Sequence, residues 1–301
     1  MSIEARVATF RRRPIIGMML IVLASMSSAF PQTASADRNL CYVFLQDGQI
    51  RLSCGSKHES IHLGTRLLDF AISRDDSYAA FELENPHNKY VVRTVSLEKG
   101  SLSDEKMMSD RLLLRSTCGG VIGIDIVTDT RWNLAKWNRD MFYDYKYFMC
   151  SSDRQVTAGW TASDEASSHS QDNPFRSVLL HVNRHGKNAE WPIEDPLEFD
   201  VSQNGSYIAY FSRVGNDPKL CVRDNTSEKC VDGQGGGIAL ANSGDVLYVS
   251  EEGLKYWHPG STVLVTLSEP GNIQSPQWIT PEVAQWLLKW PAKNLSIAKP
   301  Q

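Results

Sequence analysis

The chain of 301 residues carries 35 acidic and 31 basic side chains, for a formal net charge of −4. Its first 36 residues hold one of the acidic and four of the basic residues, so the remainder carries 34 and 27, a charge of −7. This acidic balance excludes a general attraction to nucleic acid, which needs clustered Lys and Arg.

The N-terminal segment has the pattern of a secretory signal peptide. Arg11–Arg13 form a positive region, Ile15–Leu23 form an apolar region, and Ala34-Ser35-Ala36 supplies a small-x-small cleavage site. We therefore expect residues 1–36 to be removed and the protein to be secreted or periplasmic. The alternative is an uncleaved membrane anchor, but serines interrupt the apolar region before it reaches the roughly 20 residues of a span. No later stretch is apolar enough to span a membrane.

Six cysteines follow the leader, which suits an oxidising compartment. Two pairs stand symmetrically about predicted hairpin turns, where residues equidistant from the turn face each other within disulfide reach. A third pair is assigned by subtraction. The predicted disulfides are Cys41 with Cys54, Cys221 with Cys230, and Cys118 with Cys150. The alternative, cysteines as metal ligands, lacks a C-x-x-C or Cys/His cluster.

A short turn phrase recurs along the chain, and each copy joins a hydrophobic run to a strand of period 2. The clearest copies are Ser73–Phe81 and Ser202–Tyr210, where Asp-Asp or Asn-Gly supplies the tight turn. Repetition at a period near 40 residues indicates an array of one supersecondary unit. The five copies that can be aligned begin at Ser73, Ser151, Ser202, Ala241 and Thr280.

The spacing of these copies predicts six units. The gaps are 78, 51, 39 and 39 residues, and a degenerate copy at Ser116 fills the first. A polar, Ser-rich loop over residues 161–174 accounts for the 12 extra residues in the second. Each unit holds four short β segments, so the sequence predicts an all-β, six-bladed β-propeller. The second blade, with its degenerate phrase, is the weakest part of the count.

The two chain ends are predicted to close the ring. The last phrase is followed by a predicted strand, Gln285–Trp290, and the mature chain begins with a free hairpin at Cys41–Cys54. We expect this hairpin to pair with the C-terminal strands, with Tyr42–Phe44 beside Trp286–Leu288. Residues 281–289 also have the Pro-led pattern of a helix, but the repeat register favours a strand. The propeller is then one domain over 37–292, followed by a tail over 293–301.

The phrases Phe70–Phe81 and Phe199–Tyr210 resemble the repeats of TolB-type, WD-like propellers. The resemblance covers residues 38–290, although Pro is absent after the first residue of the phrase in five of six copies. It implies a periplasmic or extracellular propeller that binds proteins or ligands. The prolyl-oligopeptidase relatives add a hydrolase domain, and no residues remain here for one.

Local motifs for catalysis are weak. The chain has no G-x-S-x-G nucleophile elbow. His181 and His185 stand four apart in a predicted strand and turn, which is not the helical spacing of a metal site. The glycines at 235–237 could cradle an anion, but they lack the Lys and following helix of a phosphate loop, and they are expected to let the chain pass close to the propeller axis as it enters a strand at 238–240. The eight tryptophans are expected mainly between blades.

Two sets of residues are candidate binding groups at one channel mouth. Acidic residues in predicted loops before inner strands could ring that mouth and bind a cation or a basic peptide: Glu194, Asp195, Asp232 and Glu269. The long loop could cover the same mouth with polar and aromatic groups: His169, Asp172, Asn173 and Phe175.

The sequence thus predicts an exported, non-catalytic propeller that acts as a scaffold for an unknown protein or small-molecule ligand. No catalytic residue, metal ligand or cofactor is assigned. The main alternative is a secreted enzyme, such as a lactonase, lyase or glycan-acting hydrolase, with a site assembled at the channel mouth from several blades. A further possibility is a structural component of an envelope complex.

Overall fold

The computed structural model describes most of the chain after the leader. The described residues are 41–63, 65–85, 89–117, 120–139, 145–161, 177–194, 198–214 and 217–289. The predicted signal peptide, most of the long loop and the C-terminal tail lie outside them. Among the described residues, no helix is long and apolar enough to cross a membrane.

The described residues form 24 strands, and four consecutive strands usually make one antiparallel sheet. The first three strands are β1 (Cys41–Gln46), β2 (Gln49–Cys54) and β3 (Lys57–Ile61). Blade 1 contains β4 (Leu67–Ile72), β5 (Tyr78–Asn85), β6 (Lys89–Ser96) and β7 (Ser101–Met108). Blade 2 contains β8 (Leu112–Thr117), β9 (Gly120–Asp125), β10 (Arg131–Asn133) and β11 (Asn138–Arg139). Blade 3 contains β12 (Tyr145–Cys150), β13 (Val156–Thr161), β14 (Ser177–Arg184) and β15 (Lys187–Glu194).

The C-terminal half repeats this arrangement. Blade 4 contains β16 (Phe199–Val201), β17 (Ile208–Val214), β18 (Asp217–Arg223) and β19 (Glu228–Asp232). Blade 5 contains β20 (Gly236–Leu240), β21 (Val246–Ser250), β22 (Gly253–Trp257) and β23 (Val265–Thr266). A last strand, β24 (Ile273–Ile279), joins β1, β2 and β3 in blade 6. The last described element is a helix, α1 (Pro281–Lys289).

The six sheets stand around one channel. The first strand of each blade contacts the first strand of the next, in the order β4, β8, β12, β16, β20, β24 and back to β4. The predicted six-bladed β-propeller is therefore confirmed, including the second blade with its degenerate phrase. Large side chains pack between neighbouring blades, as expected for several of the tryptophans. Trp160 of blade 3, which is 1% exposed, lies against Phe199 of blade 4 at 4.8 Å between ring centroids.

The turn phrase is a hydrogen-bonded unit that connects the first strand of a blade to the second. The Ser73 hydroxyl donates to Asp75 at 2.6 Å and accepts from the backbone N–H of Ser77 and Tyr78 at 3.1 and 2.9 Å. The backbone N–H of Asp76 closes the turn on the Ser73 carbonyl at 3.0 Å. These bonds explain why the phrase begins with Ser and continues with Asp or Asn two residues later.

The phrases at Ser151, Ser202 and Ala241 build a similar turn, whereas the phrase at Thr280 lies at the start of a helix. Hydroxyls of Ser151 and Ser202 accept from the backbone N–H of Val156 and Tyr207, both at 3.0 Å. The fourth residue of the phrase adopts positive φ in every one of these turns, and in the Ala241 turn as well. These residues are Asp76 (55°), Arg154 (61°), Gly205 (71°) and Gly244 (89°). Asn-Gly and Ser-Gly place glycine where a side chain is strained.

The prediction for ring closure is correct in principle and wrong in detail. Strand β1 pairs with β24, and Tyr42 lies opposite Trp278 rather than beside residues 286–288. Three N-terminal strands and one C-terminal strand therefore complete blade 6, where a hairpin beside two C-terminal strands was expected. Closing the ring in this way covers both ends of the sheet array, whose exposed edges would otherwise invite association.

The predicted strand after the last phrase is instead the helix α1. The repeat register would place this segment beside β24, but β1 already occupies that position, and the other edge of β24 faces the channel. Local signals then decide for helix, with Pro281 at the first position, Glu282 in the first turn and Lys289 in the last. Val283, Ala284 and Leu287 form the buried face and pack into the core of blades 6 and 1.

Two predicted disulfides are confirmed. Cys41 bonds to Cys54 and Cys221 to Cys230, and each pair lies directly opposite in an antiparallel hairpin. Cys150 is also disulfide-bonded. Its predicted partner, Cys118, lies outside the described residues.

Candidate functional site

The central channel holds a cavity of about 470 Å³. Its walls come from the first strands of the blades and from the turns that follow them. Most of the lining is apolar, with contributions from Ile72, Leu114, Ile238 and Pro276. The charged residues of its described lining are Asp69, Arg74, Arg115, Glu198 and Asp200.

Each first strand has one edge that faces the channel, so its outward N–H and C=O groups have no partner in their own sheet. Asp69, which is 1% exposed, provides a hydrogen-bond acceptor for the channel-facing edge of blade 2. Its carboxylate accepts from the backbone N–H of Leu114 in blade 2 at 2.8 Å and from the N–H of Phe70 at 2.8 Å. The Ser275 hydroxyl of blade 6 donates to it at 2.5 Å. One carboxylate thus joins blades 6, 1 and 2.

Blade 4 carries two carboxylates with the same role. Asp200 accepts from the backbone N–H of Leu240 in blade 5 at 2.9 Å and from its neighbour Val201 at 2.9 Å. Glu198 accepts from the backbone N–H of Gly237, also in blade 5. Hydrogen bonds from N–H to an ionised carboxylate are among the stronger ones in proteins, so these contacts hold blades 4 and 5 together at the channel.

Uncharged side chains connect blade 6 to both of its neighbours. The Gln277 side-chain oxygen accepts from the backbone N–H of Ile72 in blade 1 at 2.8 Å. The Trp278 indole N–H donates to the backbone carbonyl of Ala239 in blade 5 at 3.1 Å. Blade 6 is the one assembled from both chain ends, so these bonds support the closure itself.

Arg74 crosses the channel. It belongs to the turn phrase of blade 1, yet it forms an ion pair with Asp200 and donates to the Val201 carbonyl. Both partners belong to blade 4, which lies opposite blade 1 in the ring of six blades. Its side chain is only 10% exposed. Burial lowers the pKa of the guanidinium to about 10, so it remains charged at neutral pH.

Burial raises the pKa of two carboxyls near this network. For Asp69 the desolvation is opposed by the nearby charge of Arg115 and by its hydrogen bonds. For Glu82, in β5, burial raises the pKa to about 7 despite a hydrogen bond from the backbone N–H of Leu112 and the ion pair with Arg111. Glu82 thus connects blades 1 and 2 one strand further from the channel.

The predicted acidic residues occupy different places. Glu194 is the exposed last residue of β15, and Asp232 ends β19, where it pairs with Lys219. Glu269 lies between β23 and β24, exposed at the connection. The described cavity lining contains none of these three. Asp195, His169, Asp172, Asn173 and Phe175 lie outside the described residues, so their predicted roles stay predictions.

Sequence reasoning missed Asp69, Asp200 and Arg74. A signal was present for the carboxylates, because each stands between apolar residues in a short segment that ends at a turn-phrase serine. Such a residue is buried and needs hydrogen-bond partners. Arg74 gave no comparable signal, since an arginine in a polar turn is usually solvated.

The glycines at 235–237 sit where the chain passes close to its neighbours. A Cβ on Gly235 would lie 2.1 Å from the Val249 carbonyl oxygen, and Gly237 has a φ of 61°. Both values favour glycine for steric reasons. His181 lies on β14, 3.4 Å from Glu190, and His185 lies in the following hairpin turn.

Comparison with known proteins shows similarity of fold. No protein-family profile and no curated protein sequence matches the chain. TolB from Acinetobacter baumannii superposes with a TM-score of 0.53 at 14% identity, over 80% of this chain and 66% of that one. The chain therefore spans about two thirds of the TolB chain it matches. A chain of a nidogen/laminin complex gives a TM-score of 0.52 at 8% identity, over 79% of this chain and 98% of that one.

Proposed function

We propose that this protein is an exported propeller without catalysis of its own, which binds a protein or small-molecule ligand at its channel. Three features support export: the leader pattern at residues 1–36, the two hairpin disulfides, and the likeness to TolB-type propellers. Disulfides persist in oxidising compartments and are rare in the cytosol. The likeness to TolB is one of fold, and it implies a binding role only by analogy.

The main support for the proposal is that the channel carboxylates are already hydrogen-bonded to neighbouring blades. Each of the three in the described lining, Asp69, Glu198 and Asp200, accepts a backbone N–H from the next blade. A general acid or base needs a carboxyl that can exchange its proton with a substrate. These carboxyls instead stabilise the ring, which favours a rigid binding scaffold over a channel-mouth lactonase, lyase or hydrolase.

The two ends of the cavity differ in accessibility. Arg74 spans the channel close to the turn phrases, because its partner Val201 immediately precedes the phrase of blade 4. The opposite face carries the connections between blades, and Gln274 lines the cavity near that end of β24. A ligand therefore enters from the face of the blade connections. Its apolar part would contact the walls, and Arg115 would supply a cation for a polar group.

Site-specific photocrosslinking in the native host tests this proposal. A photoreactive residue at Gln274 is compared with one at Ser103, which is exposed on the outermost strand of blade 1. We expect a discrete adduct from Gln274, absent from Ser103, and lost when residues 2–36 are deleted and the chain stays in the cytoplasm. Equal labelling from the two positions, or labelling that persists without the leader, would contradict the proposal.

A further inference from the structure

One face of blade 4 brings two sulfurs and a carboxylate together. Cys221 and Cys230 lie directly opposite each other on β18 and β19, and Glu228 lies two residues before Cys230. Side chains two apart on a strand share a face, so all three project to the same side. The two sulfurs and a Glu228 carboxylate oxygen lie within 4.8 Å of one another.

In the disulfide state the sulfurs are bonded to each other and offer little to a metal. A dithiol reductant changes this: it gives two electrons and two protons to the S–S bond, which breaks into two thiols, while the reductant closes into its own disulfide. Two thiolates and a carboxylate are then available at one point. Zn²⁺ and similar thiophilic divalent ions take this combination in tetrahedral sites, with water as a fourth ligand.

Arg223 balances the charge of the site. Arg223 lies opposite Glu228 in the strand register, with its guanidinium 3.9 Å from that carboxylate. It is held in place by the Trp191 ring, 4.2 Å away. A divalent ion with two thiolates and one carboxylate carries a net charge of −1, which Arg223 offsets.

Access also differs between the two described disulfides. Cys230 is exposed on β19, the outermost strand of its sheet. Its partner Cys221 and the first cysteine of the other disulfide, Cys41, are both 2% exposed, but Cys54 is only partly exposed and lies on β2, between β1 and β3. Among the described residues, Cys41 and Cys54 have no carboxylate or imidazole that completes a three-ligand group with them. The second hairpin disulfide is therefore a control within the same chain.

We propose that Cys221, Cys230 and Glu228 form a redox-gated site for a thiophilic divalent metal ion. The site is closed while the disulfide is intact and opens on reduction. Metal binding releases the two thiol protons and crosslinks β18 to β19 in place of the S–S bond, so it preserves the outer edge of blade 4 under reducing conditions. The inference does not depend on which ligand occupies the channel.

Cobalt binding tests the site, because Co²⁺ in a thiolate environment gives sulfur-to-metal charge-transfer and tetrahedral d–d absorption. The purified protein is reduced with a dithiol, freed of reductant without air and titrated with Co²⁺, then with Zn²⁺ as competitor. We expect one thiolate-bound Co²⁺ per chain after reduction and none before it. The C41S/C54S variant should bind as the wild type does, and C221S/C230S should lose the charge-transfer band.

The variant E228Q keeps both thiols and removes the carboxylate ligand. Loss of a group that merely orients a metal ligand costs about 10–100-fold in affinity, so E228Q should weaken Co²⁺ binding at least about tenfold. Unchanged affinity in E228Q, binding by C221S/C230S equal to that of the wild type, or binding by the oxidised protein would each overturn the proposal. Circular dichroism of each variant confirms that the propeller is folded before titration.

Discussion

The ion pair between Arg74 and Asp200 offers the sharpest test of how the ring is held together. We consider three variants: R74M, D200N and the double variant. Met fills much of the volume of the arginine stem without its charge, and Asn keeps one side-chain oxygen, which can accept from one of the two backbone N–H groups that donate to Asp200. The substitutions therefore change the charge more than the packing.

The magnitude follows from burial. Asp200 is 4% exposed, so R74M leaves a buried carboxylate without its cation. Removing one partner of a buried pair costs about 3–5 kcal/mol. The backbone N–H groups of Val201 and Leu240 still donate to Asp200, which places R74M near the lower limit, about 3 kcal/mol. D200N should cost a similar amount, and the double variant no more than either, so the coupling energy is about 3 kcal/mol.

Urea unfolding monitored by tryptophan fluorescence measures these free energies. The matched control is R66M, because Arg66 pairs with Glu84 at 3.5 Å on the surface, with both side chains about half exposed or more. Exposed pairs contribute about 0–1 kcal/mol, so R66M should differ little from the wild type. If R74M costs no more than R66M, or if the single-variant effects add without coupling, the cross-channel pair does not stabilise the ring.

Three further predictions concern stability. Burial raises the pKa of Glu82 from 4.5 to about 7, so the folded state binds the proton more tightly and the free energy of unfolding should fall as pH rises between these values. Urea unfolding at pH 5 and pH 8 measures this fall, and E82Q should reduce it by about 2–3 kcal/mol. The same fall in E82Q and in the wild type would refute the prediction. The buried face of the helix predicts that L287A, at a buried site, costs about 2–5 kcal/mol, whereas L288A, at a site 48% exposed, costs under about 0.5, and equal costs for the two variants would contradict this packing. The variant C41S/C54S, which opens a loop with a sequence separation of 13, should lose about 3 kcal/mol in thermal or urea unfolding, and equal stability of oxidised wild type and variant would contradict this.

The repeat architecture could be predicted from the sequence because its signals are local. A serine that accepts from the backbone four and five residues later, and a fourth residue at positive φ, define the turn within one short phrase. Strand alternation on either side then gives the hairpin. The disulfides at Cys41–Cys54 and Cys221–Cys230 follow from the same local register, since residues equidistant from a turn face each other.

The channel network could not be predicted, because its bonds join residues far apart in the chain. Asp69 reaches Leu114, 45 residues away, and Arg74 reaches Asp200 across 126. Each contact depends on how the blades are placed around the ring. The sequence pattern predicted loop carboxylates such as Glu194 as the channel acids. The acids that line the cavity instead include Asp69 and Asp200, which lie in first strands between apolar residues.

The amino-acid sequence by itself determined the number of blades, the turn geometry and the two hairpin disulfides, since these depend on backbone preferences within a few residues. Only the tertiary structure decided how the ring closes. Residues 281–289 have both a strand register and a helical pattern, and the choice fell to helix because β1 had already taken the place beside β24. A segment whose place in the sheet is occupied must satisfy its own backbone hydrogen bonds, and a helix does so.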